Sequence, residues 1–190
     1  MAAPADEDTA AVRRVLDGDV TAFDAIVQRW QGRLVNLAWR FCRDRMMAED
    51  LAQEAFVKAF RALATFRGDA AFSTWLTAIA MNTYRSQLRG HAPPVDDFDF
   101  SRRAASGLDP LGELQESERS AILRKSVLAL PAKYREPLVL YYFQEMDFAE
   151  TARVLGLPEG TLKARLHRGR ELLKQRSSAR LGALRTRARG

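Results

Sequence analysis

The eleven residues Gly160-Thr-Leu-Lys-Ala-Arg-Leu-His-Arg-Gly-Arg170 combine an apolar period with a run of cations. At about 100° per residue, Leu162, Leu166, Gly169 and Leu173 share one stripe. Gly160, Ala164, His167, Arg168 and Glu171 lie opposite, with Thr161, Lys163, Arg165 and Arg170 on the flanks. A helix that enters the major groove of DNA needs this division: an apolar back, and a front of small and hydrogen-bonding side chains that reach base edges. Thr161, Lys163, Ala164, Arg165, His167 and Arg168 are therefore the candidate contacts to bases and phosphates. The same wheel also describes an ordinary amphipathic surface helix, and the pattern alone leaves that alternative open.

No chemistry of bond breaking accompanies these residues. The sequence holds no Gly-rich phosphate loop, no metal-ligand cluster and no nucleophile paired with a base. Its single cysteine, Cys42, and its histidines, His91 and His167, are far apart and match no zinc spacing. The expectation is a non-enzymatic chain with no metal and no cofactor. One cysteine excludes an internal disulfide framework and fits a reducing cytoplasm. No stretch approaches the roughly 18–20 apolar residues that span a bilayer, and Met1 to Asp8 is polar and acidic, the reverse of a signal peptide. A soluble cytoplasmic protein without membrane insertion is expected.

Charge narrows the partner. The 190 residues carry a net +6 with a pI near 9.9, which points to a polyanion or an acidic protein. Thr161 to Gly190 holds ten Lys/Arg against the lone acid Glu171, whereas His91 to Glu118 holds seven acids against Arg102 and Arg103. Opposite signs in neighbouring segments argue for separate tasks.

The elements that must position these groups read as helices throughout, since alternation and hairpin signals are absent. Phe23, Ile26, Val27, Trp30, Leu34, Leu37 and Phe41 predict a helix from about Thr21 to Phe41, and Leu51, Ala55, Phe56 and Ala59 one from about Met47 to Leu63. Gly68 and Asp69 break the pattern, with Asp69 a candidate N-cap for a third helix ending near Arg89. From His91 to about Leu111, Pro93, Pro94, Gly107, Pro110 and clustered Asp residues read as a flexible acidic linker between domains. Helices resume near Glu113 and again after Pro131. Phe148 to Val154, the break Leu155-Gly-Leu-Pro158, and a longer helix to about Lys174 have the chemistry of a helix-turn-helix packed through Ala149, Ala152, Val154, Leu157, Leu162 and Leu166. The fold class is all-α: two small helical domains joined by the linker.

Four segments in order then resemble one family. Asp50-Leu-Ala-Gln-Glu-Ala-Phe-Val-Lys-Ala-Phe60, Phe66-Arg-Gly-Asp-Ala-Ala-Phe-Ser-Thr-Trp-Leu76, Leu130-Pro-Ala-Lys-Tyr-Arg-Glu-Pro-Leu138 and Gly160–Arg170 resemble extracytoplasmic-function (group 4) RNA polymerase sigma factors of the sigma-70 family. The resemblance implies promoter-specific transcription initiation through core RNA polymerase, gripped at the clamp helices of its largest subunit and at its flap region. It also implies promoter DNA and an anti-sigma factor as partners. Asp50, Gln53, Glu54 and Val57, on one face at i, i+3, i+4 and i+7, become the core-polymerase contact. Phe66, Arg67, Gly68 and Phe72 become the loop that captures a base flipped from the -10 strand, with Asn82, Arg85 and Arg89 clamping that strand; Phe72 and Trp75 equally fit a core. The acidic linker, with Asp96, Asp97 and Asp99, would thread the channel later taken by RNA. The implied domains are an N-terminal extension (1–18), region 2 (19–90), the linker (91–112), region 4 with the helix-turn-helix (113–176) and a basic tail (177–190). The alternative is a helix-turn-helix regulator that acts without core polymerase.

Overall fold

The computed structural model describes residues 4–88 and 125–187, with side chains described over 7–88 and 125–177. Among the described residues all regular structure is helical, as the sequence patterning requires, and the chain divides into two compact units. The acidic linker, Arg89, and the part before residue 125 of the helix expected from about Glu113 to Leu130 lie outside the described residues.

The first unit comprises α1 (Pro4–Leu16), a 3-10 turn at Val20–Ala22, α2 (Phe23–Cys42), α3 (Arg45–Ala62), a second 3-10 turn at Leu63–Thr65, and α4 (Phe72–Leu88). The core stripe of α2 is Phe23, Ile26, Trp30, Leu34, Leu37 and Ala38. It meets α3, whose buried face is mostly small: Ala48, Ala52, Ala55 and Ala59, with Leu51 and Phe56 between them. Small side chains let the two backbones approach, so the pair forms with little bulk at its seam. The Tyr84 phenol then donates to the Leu34 carbonyl at 3.0 Å, tying α4 to α2 through a bond buried from water. Asp44 caps α3 by accepting from the Met47 amide at 2.9 Å. Asp69 does not cap α4: that helix opens at Phe72, because Gly68 takes a φ of +79° and the bend it makes continues through Ala70.

Within the N-terminal segment expected as an extension, Pro4–Leu16 forms a packed helix. α1 lies on α2 and α4, burying Ala11 and Val12. Asp8, only 2% exposed, is its anchor: the carboxylate pairs with the Arg29 guanidinium and accepts from Trp30 Nε1 at 3.1 Å, while Glu7 holds Arg29 from outside at 2.6 Å. A buried carboxylate is tolerated because partners on α2 replace its water.

The second unit runs from helical residues 125–128 to α5 (Ala132–Phe143), α6 (Phe148–Leu155) and α7 (Glu159–Arg187). α5 and α7 pack together. Asp147 and Glu150 form a reciprocal capping box at the start of α6, each side chain accepting the other's amide at 2.9 and 2.8 Å. At its end the Leu157 amide reaches back to the Ala152 carbonyl at 2.9 Å across Gly156, whose φ is +63°. That Schellman turn is why the position is glycine, since a side chain in this left-handed conformation is strained. The buried residues of α6 are Thr151, Ala152, Val154 and Leu155; Ala149, expected inside, is exposed at the start of the helix. α7 continues to Arg187, well past Lys174, because the Ala, Arg and Leu that follow include no proline to stop it.

Candidate nucleic-acid interface

Burial divides α7 as the helical wheel predicts. Leu162 and Leu166 are buried, and so is Gly169, where an added Cβ would stand 3.0 Å from Leu138 Cδ1 and 3.4 Å from the Tyr134 carbonyl of α5. The glycine therefore sets how closely α7 approaches α5. On the other side Lys163, Ala164, His167, Arg168 and Arg170 are exposed, with Thr161 and Arg165 half-buried at the edge. Arg168 donates through Nη1 to Glu171 Oε2 at 3.0 Å, and Arg170 reaches the Tyr142 hydroxyl at 3.4 Å. Arg135 and Arg176 complete the scaffold by donating to the Leu128 and Ala129 carbonyls at 3.1 and 2.7 Å, where the preceding helix ends. Burial pushes the Arg135 pKa down, yet a guanidinium stays charged.

In the first unit the loop between α3 and α4 is organised by aromatic packing. Phe66, Phe72 and Trp75 form a mutual cluster with ring centroids 5.4 to 5.6 Å apart. Phe72 is 2% exposed and offers no face to a base. Its expected place among the strand-binding residues is corrected: it is the floor on which Phe66 rests. Phe66 is half-buried, Arg67 and Gly68 are exposed, and Trp75 is half-buried. Asn82 is exposed on α4, within 3.4 Å of Arg85 Nη1. Beside the loop, Lys58, Ala62, Ile79, Asn82 and Thr83 line a cleft of about 230 Å³. Thr83 Oγ1 is buried there without a hydrogen-bond partner. Lys58 of α3 meets Ile79 and Thr83 of α4 only when the two helices pack, so nothing local in the sequence marks the cleft they form.

A second surface lies between α2 and α3. Gln53 and Val57 line an apolar groove of about 630 Å³ together with Val27, Gln31, Val35, Phe56 and Phe60. Asp50 is exposed at i−3 from Gln53, and Glu54 pairs with Lys58 at 3.2 Å. Val57 and Phe60 remain about 40% exposed, more than the core aromatics and aliphatics around them. The sequence signal for the α2 side was present but weak: Val27 and Val35 sit off the main core stripe of their helix. Among the described residues no group of three or more His, Cys, Asp or Glu is placed to hold a metal ion, and no helix is long and apolar enough to cross a membrane.

Comparison with known proteins bears on both surfaces. The family model for Sigma-70 region 2 matches residues 26–93, and that for Sigma-70, region 4 matches residues 112–173. An RNA polymerase sigma-H factor of Pseudomonas aeruginosa is 38% identical over 180 residues, covering 88% of this chain and 92% of its own. The ECF RNA polymerase sigma factor SigW of Bacillus subtilis is 34% identical over 174 residues, covering 86% and 93%. Among solved structures, CnrH in complex with the cytosolic domain of CnrY superposes with a TM-score of 0.67 at 28% identity, covering 93% of this chain and 98% of that one. RpoE of Bartonella quintana, solved with the anti-sigma factor NepR, shares the fold at a TM-score of 0.64 and 24% identity, covering 81% and 95%.

Proposed function

The chain belongs to the extracytoplasmic-function group of the sigma-70 family, and from that membership we propose how its residues direct transcription initiation. α7 reads the -35 element with Thr161, Lys163, Ala164, Arg165, His167 and Arg168. The observation that carries this is the division of α7: Leu162, Leu166 and Gly169 are spent on packing, and every exposed position between them is small, cationic or hydrogen-bonding.

The α3–α4 loop acts on melted -10 DNA. Phe66 offers a ring edge and Arg67 a cation, Gly68 leaves the backbone open, and Asn82 and Arg85 hold the strand; Arg89 belongs to the same proposal from sequence alone. The 230 Å³ cleft is roomy enough for one base, and the exposed Asn82 amide on its lining is suited to a base edge. Asp50, Gln53, Glu54 and Val57 bind core polymerase, with the α2–α3 groove providing the apolar surface and the two carboxylates a rim complementary to basic clamp helices. An anti-sigma factor is a further partner, since CnrH was solved with the cytosolic domain of CnrY and the Bartonella protein with the anti-sigma factor NepR. The region boundaries expected from sequence complete the proposal: 19–90 for polymerase and -10 binding, 113–176 for -35 binding, with the linker and tail between and after them. We assign the chain no reaction of its own and place it in the cytoplasm, where its polymerase is.

In vitro transcription with core polymerase and a genomic promoter library tests the reading. The chain should confer start sites that core enzyme alone lacks. Sequence-specific DNA binding that is unaffected by core polymerase, with no new transcripts, would favour a free-standing regulator instead. Reversing charge at Asp50 and Glu54 should abolish co-purification with core enzyme while leaving the fold intact, since exposed substitutions typically shift stability within about 0.5 kcal/mol. Unchanged co-purification would remove those residues from the interface.

A further inference from the structure

Glu171 is the one acid between Thr161 and Gly190, and it stands on the reading face of α7. Its Oε2 accepts from Arg168 Nη1 at 3.0 Å and lies 3.9 Å from His167 Nδ1. The three side chains are 46% to 68% exposed, so no core packing dictates their arrangement. A carboxylate facing a polyanion works against affinity, and an exposed pair one turn apart adds little to helix stability. Its place at the centre of the reading face is therefore better explained by what it does to Arg168.

We propose that Glu171 is a positioning residue that determines specificity: it holds the Arg168 guanidinium until a base offering two acceptors takes its place. The proposal rests on α7 being the reading helix. A guanidinium is a flat fork of donors that suits a bidentate partner. Guanine presents O6 and N7 together in the major groove and can replace the carboxylate in full; cytosine presents a donor, and adenine or thymine a single acceptor. At those bases Arg168 stays with Glu171 as a neutral pair, and the DNA gains no guanidinium contact. Glu171 also competes with phosphates for Arg168, which keeps that side chain from strengthening binding to every sequence alike.

The test uses the full chain with core polymerase on promoter duplexes randomised through the upstream element, read by sequencing of bound and free pools. Glu171→Gln removes the charge and keeps the size. It should tighten binding to the pool as a whole by about two- to fivefold, through relieved repulsion. It should also flatten the base preference at one position by about three- to tenfold, through loss of the held fork. In an Arg168→Ala background the same substitution should leave the remaining preferences untouched, because there is no fork to hold. Uniform tightening with the preference intact would reduce Glu171 to a bare charge and overturn the proposal. Flattening that persists without Arg168 would overturn it equally. A wild-type chain that selects no base in that element would sink the reading of α7 itself, and the proposal with it.

Discussion

Arg168 and Lys163 are both exposed cations on α7, but the wheel assigns them different tasks, one at its outward centre and one on its flank. Arg168→Ala should relax discrimination at one position of the upstream element, costing about 1–3 kcal/mol at the preferred base. Lys163→Ala should weaken all sequences alike and lower the salt slope by about one phosphate contact. Titrations of core-bound protein against duplex variants at several salt concentrations separate the two, and exchanged phenotypes would mean the helix is rotated from this placement. Cys42 illustrates a residue whose chemistry the sequence could not supply. Burial pushes its thiol pKa up, so at mildly alkaline pH it should hold less thiolate than an ordinary cysteine and alkylate slowly until the chain unfolds. Native alkylation as fast as that of the denatured chain would contradict this. Phe72 fits either a strand contact or a core from its motif, and only packing decides that its ring lies buried against Phe66.

Helices were legible where a strong apolar stripe ran through them, as in α2, and obscure where small or polar residues carried the packing. α1 carries no strong apolar stripe, since its buried face is Ala11, Val12 and a carboxylate, and no periodicity scale marks Asp8 as an inward residue. Its partner Arg29 lies 21 positions away, so the pair exists only in the folded unit. Asp8→Ala leaves the Trp30 indole N–H and part of the Arg29 charge without their acceptor, and should destabilise the first unit by about 2–4 kcal/mol. Urea unfolding followed by tryptophan fluorescence will show it, since Trp30, Trp39 and Trp75 all belong to that unit; a shift below about 0.5 kcal/mol, the scale of an ordinary surface substitution, would mean α1 is not anchored there. In the second unit Gly156 and Pro158 mark the turn of the helix-turn-helix in the sequence, and the Asp147–Glu150 capping box marks its start. Gly169→Ala should cost about 1–3 kcal/mol, because Leu138 is itself only 2% exposed and has little room to yield. Unaltered stability in thermal unfolding by circular dichroism would show that α5 gives way.

For the molecule as a whole, two units with different surfaces imply two separable steps, duplex recognition and strand capture. Phe66→Ala with Arg67→Ala should leave duplex binding by core-bound protein nearly unchanged. The same pair should cut permanganate reactivity of downstream thymines by about tenfold or more, because the loop is proposed to act only on unstacked bases. Wild-type reactivity in a folded double variant would remove the loop from melting. The two-unit division followed from the Pro-, Gly- and Asp-rich stretch after Gly90, but how each surface is assembled did not, since the α2–α3 groove and the Thr83 cleft draw residues from separate helices. The seating of Gly169 against Leu138 has a further consequence, for descent and not for mechanism. Because that contact and the two leucines beside it carry the packing, substitutions at the exposed Ala164, His167 or Arg168 should change the proposed promoter preference without a toll on folding. Duplicated copies of such a gene can therefore diverge toward separate sets of promoters by single substitutions, each intermediate remaining a stable protein.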